Sequence, residues 1–220
     1  MTTERVATPH GSVSIEMDGP EDAPAVVILA PGAGAGMHHE FMVAVSDELA
    51  GHGLRVGRFN FVYYEEGRKS PNRAPVLEAT YRAVADHVRG SMPGRRLFLG
   101  GKSMGGRIAS QIVAADVDCD GLVYLGYPLH PPGRPDRMRD EHLYRIDRPM
   151  LFVEGTRDPF CPIATLEDVR RRIPDSTLVL IDDGDHTFKV RKTSGRSTRD
   201  AWGEVASATA GWVLGNVGRP

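Results

Sequence analysis

Short apolar runs recur along the chain and alternate with longer stretches of helical period. The runs that predict strands are AVVILA (25–30), LRVGRFNF (54–61), RLFLG (96–100), GLVYLGY (121–127), PMLFVEG (149–155) and STLVLID (176–182). Most are almost continuously apolar, which is typical of parallel strands covered on both faces. Helices are predicted over 40–51, 76–89, 104–115, 163–173 and 198–214. This alternation predicts an α/β fold, a mostly parallel sheet with helices on both faces.

Two further features complete the predicted architecture. The run SVSIEM (12–17) predicts one extra strand, antiparallel and at the edge of the sheet. The stretch YPLHPPGRPDRMRD (127–140) is rich in proline and glycine and predicts an elaborated loop. Only about twenty residues separate the strands on either side of it, too few for a cap domain. We therefore expect one domain over 1–220, with an open site.

Composition and charge narrow the classes of partner. The chain has 220 residues, 40% of them hydrophobic, which suits one sizeable domain. A formal net charge of −2 gives no electrostatic reason to expect nucleic acid or an anionic membrane as a partner. No signal-peptide pattern and no apolar run of membrane-spanning length stands out, so a cytoplasmic location is expected. The oligomeric state stays open.

Cysteine and histidine usage gives no sign of a metal site. The two cysteines, Cys119 and Cys161, form neither a disulfide framework nor a C-x-x-C motif. His38 and His39 have no cysteine or acid at metal-ligand spacing and are expected to be polar residues at a helix start. We expect no metal and no cofactor.

The stretch GGKSMGGR (100–107) admits two interpretations. Gly101-Lys102-Ser103 ends like a phosphate-binding loop, but that motif needs a glycine at position 96, which is Arg96. The residues that would form the flexible loop, 97–99, are instead an apolar triplet suited to a buried strand. Nucleotide binding is therefore disfavoured.

The same residues fit a nucleophile elbow, G-x-S-x-G, in which a serine stands on a sharp turn between a strand and a helix. Gly101 and Gly105 flank Ser103, and side chains at those positions would collide as the turn tightens. After the turn, apolar residues recur at helical spacing. The alternative is a serine that caps an ordinary helix.

A reactive serine needs a histidine to take its proton and a carboxylate to orient that histidine. Of the histidines after Ser103, His142 lies in a charged stretch expected to be solvated. His186 follows the apolar run LVLID, and we expect it to be the base. Asp158 follows PMLFV and is the predicted acid. Asp182, Asp183 and Asp185 share the loop of His186 and are expected to shape it through local hydrogen bonds.

An oxyanion hole would need two backbone N–H groups. Met104, directly after the serine, is expected to supply one of them. Ala33, or else Gly34, in the loop PGAGAGMHH (31–39) is expected to supply the other. The rim of the site is predicted to include five residues on two loops: Tyr127, Leu129, His130, Phe160 and Cys161.

These blocks together resemble the α/β-hydrolase superfamily over nearly the whole chain. GKSMGGR, YPLHPPG, GTRDPF and DGDHTF resemble its compact dienelactone-hydrolase-like branch. Dienelactone hydrolases proper use a cysteine nucleophile, so their substrate does not carry over to Ser103. Many lipases and esterases have His-Gly at the oxyanion loop, whereas Pro31 precedes Gly32 here.

The function implied is a serine hydrolase that acts on an ester, thioester or related acyl bond of a small molecule, through an acyl-enzyme. The branch also resembles a chromatin-complex subunit, so a binding or scaffold protein without turnover remains the alternative.

Overall fold

The computed structural model describes residues 2–218. Within them the strands are β1 (Thr2–Thr8), β2 (Gly11–Asp18), β3 (Ala25–Ala30), β4 (Arg55–Phe59), β5 (Arg96–Lys102), β6 (Gly121–Leu125), β7 (Met150–Gly155) and β8 (Ser176–Ile181). They form one eight-stranded sheet in the order β1-β2-β4-β3-β5-β6-β7-β8. The strands from β4 to β8 along this order pair in parallel, as predicted.

The helices are α1 (Glu40–Gly51), α2 (Val62–Glu65), α3 (Ala74–Ser91), α4 (Met104–Ala115), α5 (Ile163–Arg170) and α6 (Thr198–Asn216). Short 3-10 turns lie at Glu141–Arg145 and Lys192–Ser194. The predicted helices are all present: α1 and α4 have the predicted bounds at both ends, α5 and α6 begin where predicted, and the remaining four bounds are shifted by two or three residues. The short α2 was not predicted, because a single turn leaves no helical period in the sequence. No helix within residues 2–218 combines the length and apolar character needed to cross a bilayer.

The prediction for residues 12–17 was half right. They lie in β2, which is antiparallel to β4 as expected. The edge, however, is β1, which pairs antiparallel with β2 from Thr2 opposite Met17 to Thr8 opposite Gly11. Val6 is the one residue of β1 classed as buried. A strand with so little apolar content gives almost no signal in the sequence.

The continuous apolar runs reflect two cores, one on each face of the sheet. All six residues of β3 are buried. Val26 and Ile28 belong to the core covered by α3, α4 and α5, whereas Val27 and Leu29 belong to the core covered by α1 and α6. Successive side chains of a strand point to opposite faces, so a strand covered on both faces must be apolar throughout.

The register places the chemistry at one end of the sheet. Ala30, at the end of β3, pairs with Gly101 of β5, and Lys102 pairs with Leu125 of β6. The loops that follow β3, β5 and β7 therefore all leave from this end of the sheet. No cap domain is inserted above them; the connection from β6 to β7 folds back along α4 instead.

Candidate active site

Ser103 stands on a sharp turn between β5 and α4. Its backbone has φ 50° and ψ −111°, a conformation that residues other than glycine adopt rarely. The Ser103 N–H donates to the Leu125 carbonyl oxygen at 3.1 Å, which fixes the turn against β6. This is the geometry that the elbow motif predicts. It differs from a helix cap, since the Ser103 side chain makes no capping hydrogen bond.

The flanking glycines are required by close contact with β3. A Cβ atom added to Gly101 or to Gly105 would lie 2.2 Å from the Ala30 carbonyl oxygen. Gly101 also has φ +150°. Backbone atoms block both positions and cannot swing aside as a flexible side chain could. The two glycines therefore let the elbow approach the strand that leads into the loop 31–39.

His186 reaches the serine from the loop after β8. Its Nε2 lies 2.8 Å from the Ser103 Oγ, and its ring packs edge-on against Phe160 with centroids 4.7 Å apart. Two of the three acids predicted to shape this loop, Asp183 and Asp185, hold it through their side chains. Asp185 accepts hydrogen bonds from the backbone N–H of Thr187 and of Lys189. Asp183 pairs with two arginines, Arg157 and Arg191.

Asp158 lies on the other side of the imidazole, in the loop after β7. Its Oδ2 is 2.5 Å from His186 Nδ1, and its Oδ1 accepts from the Phe160 N–H at 2.8 Å. The Asp158 side chain is fully buried. Both carboxylate oxygens are thus engaged, which fixes the direction in which the acid holds the ring.

The electrostatic surroundings favour a neutral imidazole. Burial lowers the pKa of His186 below its ordinary value; the hydrogen bond to Asp158 opposes this shift, and the positive charge of Lys102 adds to it. A neutral histidine can accept the proton of a serine hydroxyl at neutral pH, whereas a protonated one cannot.

A buried lysine behind the acid was not predicted. Lys102 is only 8% exposed, and its Nζ has no hydrogen-bond partner among residues 2–218. Burial lowers its pKa to about 8, against the attraction of the carboxylates of Asp158 and Glu154. Glu154 is fully buried as well, and burial raises its pKa well above the ordinary value. Lys102 lies within the motif GKSMGGR, but the motif gives no sign that this lysine is buried close to Asp158 and Glu154.

Ala33 and Met104 remain candidates for the oxyanion hole, whereas Gly34 does not. Ala33 and Met104 line the cleft beside Ser103, and within the described chain neither N–H donates to a protein acceptor. The Gly34 N–H, by contrast, donates to the Tyr63 hydroxyl at 3.1 Å. Gly34 is therefore committed elsewhere, and that part of the prediction is corrected.

The cleft has two compartments that meet at Ser103, His186 and Phe160. One, about 340 Å³ in volume, lies towards α3 and α4; its wall includes Asn72, Leu77, Met104, Arg107, His130 and Arg139. The other, about 310 Å³, lies towards α1; its wall includes Ala35, His39, Phe41, Met42, Lys102 and Thr187. We call these the α4 cleft and the α1 cleft. Both are open to solvent.

Three of the predicted rim residues do not line either compartment. Tyr127, Leu129 and Cys161 are 0% exposed and belong to the core under the site. The Tyr127 hydroxyl donates to the Arg139 carbonyl oxygen at 3.1 Å and so points into the protein. His130 and Phe160 do line the α4 cleft. The prediction placed whole loops correctly but could not tell which residues face inwards.

His142 and the histidines near α1 also have definite places. His142 is half-buried rather than solvated, with its Nε2 2.7 Å from the Ser110 Oγ and 3.2 Å from the Tyr127 hydroxyl. His39 caps α1, as expected of a polar residue at a helix start, and His38 pairs with Glu16. Among residues 2–218, no three His, Cys, Asp or Glu side chains are grouped as a metal site would require.

The sheet order, the strained serine and the uncapped cleft together define an α/β-hydrolase fold. A family model described as "Alpha/beta hydrolase domain" matches residues 23–214. The chain therefore belongs to the α/β-hydrolase family, which confirms the resemblance seen in the sequence.

Solved structures share the fold at low identity. A dienelactone hydrolase from Anabaena variabilis is 20% identical, with a TM-score of 0.78 and coverage of 97% of this chain and 96% of that one. A serine hydrolase without a lid from Xanthomonas campestris is 23% identical, with a TM-score of 0.73 and coverage of 96% and 94%. Est1E from Butyrivibrio proteoclasticus is 14% identical, with a TM-score of 0.80 and full coverage of both chains.

Proposed function

We propose that this protein is a serine esterase that cleaves small-molecule esters or thioesters through an acyl-enzyme. The observation that carries the proposal is the continuous hydrogen-bond chain from Ser103 through His186 to Asp158, with distances of 2.8 and 2.5 Å. A solved structure described as the esterase domain of a Rhodothermus marinus protein, and another described as Est1E with ferulic acid bound, add support at the level of the fold.

The chemistry follows from the geometry. Ser103 Oγ attacks the acyl carbon while His186 Nε2 takes the hydroxyl proton, and Asp158 holds the ring and stabilises the imidazolium that forms. The tetrahedral oxyanion accepts hydrogen bonds from the N–H groups of Ala33 and Met104. His186 then gives the proton to the leaving alcohol or thiol, and water attacks the acyl-serine by the same base catalysis.

The open cleft bears on substrate size. Two compartments of about 300 Å³ each would hold short acyl and alcohol groups. Without a cap domain, nothing encloses a long lipid chain. We therefore favour small or exposed acyl groups over long-chain lipids.

A panel of 4-nitrophenyl esters and acyl thioesters of increasing chain length tests the proposal. Purified protein should cleave the short members with saturable kinetics, and Ser103→Ala should reduce kcat by several orders of magnitude. A matched variant, Ser91→Ala, removes a serine hydroxyl at the end of α3 and should keep wild-type activity. Absence of turnover across the panel would favour the alternative, a binding protein with the hydrolase fold.

A further inference from the structure

The α4 cleft carries two guanidinium groups that have no counter-ion within the described part of the chain. Arg107 and Arg139 both line it, beside Ser103. Among residues 2–218, no carboxylate oxygen lies within 4.0 Å of either guanidinium. The Arg107 Nε is buried and has no hydrogen-bond partner there, while its Nη1 donates to Gln111 at 3.1 Å. Buried charged groups are ordinarily paired, so the buried Arg107 Nε, which has no partner among these residues, needs an explanation.

The charges act on each other and on their surroundings. Burial lowers the pKa of Arg107 and of Arg139, and the charge of Arg107 lowers the pKa of Arg139 further. Glu78 attracts Arg107 but remains beyond ion-pair distance. Burial, with the charges of Arg107 and Arg145, lowers the pKa of His142 to about 4. This concentration of positive charge is local, because the whole chain carries a formal charge of −2.

The backbones that carry both arginines are fixed. Arg107 lies in the first turns of α4, and its N–H donates to the Ser103 carbonyl oxygen at 3.1 Å. The Arg139 N–H donates to the Leu129 carbonyl oxygen at 2.8 Å, and its own carbonyl accepts from the buried Tyr127 hydroxyl. The backbones of both arginines are thus held in place before a ligand arrives, so that only the side chains need to be ordered on binding, which lowers the ordering cost.

We propose that the α4 cleft binds a carboxylate group of the ester substrate through Arg107 and Arg139. This inference rests on the proposed esterase function and names its substrate class: short esters that carry a carboxylate on the acyl or the alcohol part. Guanidinium groups match carboxylates in shape and form strong charge-assisted hydrogen bonds. Arg107 follows Ser103 by four residues, about 6 Å along the helix, and both line the same cleft, so a short substrate can reach both.

The other compartment supports the same substrate class. The α1 cleft is lined by the apolar side chains of Phe41, Met42 and Ala35. Lys102 also lines it, but this lysine is buried and its ammonium group interacts with Asp158. An uncharged part of the ester suits this side. The two clefts then orient a substrate that is charged at one end and apolar at the other.

Matched pairs of esters test the inference by kinetics. On the acyl side, 4-nitrophenyl hemiglutarate is compared with 4-nitrophenyl valerate; on the alcohol side, 4-carboxyphenyl acetate with 4-carbamoylphenyl acetate. Spontaneous hydrolysis is subtracted. In at least one pair we expect kcat/KM to favour the charged ester by about tenfold or more. Arg107→Met and Arg139→Met should each remove most of that preference and bring the ratio close to one, and Arg107→Lys should restore part of it.

Arg137→Met is the control, since Arg137 is an exposed arginine on the same loop that does not line the cleft. It should leave both kcat/KM values unchanged. The inference is overturned if neither charged ester is preferred by the wild type, or if the ratio is the same in the Arg107→Met/Arg139→Met double variant.

Binding to an inactive protein separates this inference from the proposed function. In Ser103→Ala protein, calorimetry should show that each preferred charged ester binds more tightly than its neutral partner. The difference should shrink with added salt and vanish when Arg107→Met and Arg139→Met are introduced. If the wild type cleaves no ester but this arginine-dependent binding holds, only the esterase proposal fails. If neutral esters are cleaved and charged ones gain nothing, only the carboxylate site fails.

Discussion

The tight fit of the elbow against β3 makes a sharp prediction for Gly105→Ala. The added Cβ would lie 2.2 Å from the Ala30 carbonyl oxygen, 2.6 Å from its carbon and 2.8 Å from the Ala30 Cβ. Ordinary contacts of a Cβ atom begin at 3.4 Å, so α4 and β3 must separate by about 1 Å. Overpacking of this kind costs about 1–3 kcal/mol. We expect the free energy of unfolding to fall by that amount.

The same displacement should damage catalysis. Ala30 leads directly into the loop that carries Ala33, and Gly105 follows Met104, so the two proposed oxyanion donors lie on the backbones that are forced apart. A misplacement of about 1 Å can cost about a hundredfold in rate. We therefore expect kcat/KM for 4-nitrophenyl acetate to fall by about two orders of magnitude.

Gly211→Ala is the matched control. Gly211 is also a helical glycine, in α6, but a Cβ there would meet nothing within 4 Å. Because alanine is the better helix former, this change should stabilise the protein by about 0.5–1 kcal/mol and leave kcat/KM unchanged. Urea unfolding followed by circular dichroism measures both variants. Equal stability of the two alanine variants, or full activity of Gly105→Ala, would refute the packing argument.

Three further predictions concern the triad and its support. The acid limb of kcat/KM should have its midpoint below the ordinary histidine pKa of about 6.5, because burial lowers the pKa of His186 and activity needs the neutral ring; Lys102→Met should move the midpoint upwards in a pH-rate profile, since it removes a charge that lowers this pKa. Asp158→Asn should reduce kcat by about 10³–10⁴-fold in steady-state assays, because an amide cannot hold the ring in the required tautomer; a loss under tenfold would contradict the role given to Asp158. Tyr127→Phe should lower the free energy of unfolding by about 1–3 kcal/mol in urea denaturation, because it removes a buried donor to the Arg139 carbonyl. An unchanged urea midpoint would show that this hydrogen bond does not stabilise the fold.

Elements covered on both faces could be predicted because burial leaves a strong pattern. The continuous apolar run of β3 follows from burial on both faces, and the helical period of α4 follows from burial of one face against the sheet. The strand β1 escaped prediction because almost all of it is exposed, and its presence moves β2 away from the edge. A strand with few buried contacts has no marked hydrophobic pattern in its sequence.

The residues of the candidate site also fall into those that could be predicted from the sequence and those that could not. Ser103, Asp158 and His186 could be predicted to lie together because each follows a recognisable strand in a fixed order along the chain. Which side chains of the loop 127–140 face the cleft depends on how that loop folds onto α4, so Tyr127 was misplaced. Arg107 lies within the motif GKSMGGR, yet only the folded cleft shows that it lines the same wall as Arg139 and has no carboxylate partner among the residues described.

Covalent labelling with a fluorophosphonate, followed by mapping of the modified peptide, tests the central claim most directly. The account predicts a single phosphonylated residue, Ser103, with rapid labelling in the wild type, slow labelling in His186→Ala and none in Ser103→Ala. Labelling of Ser103→Ala at the wild-type rate, or a Ser103 that reacts no faster than a free serine hydroxyl, would contradict it.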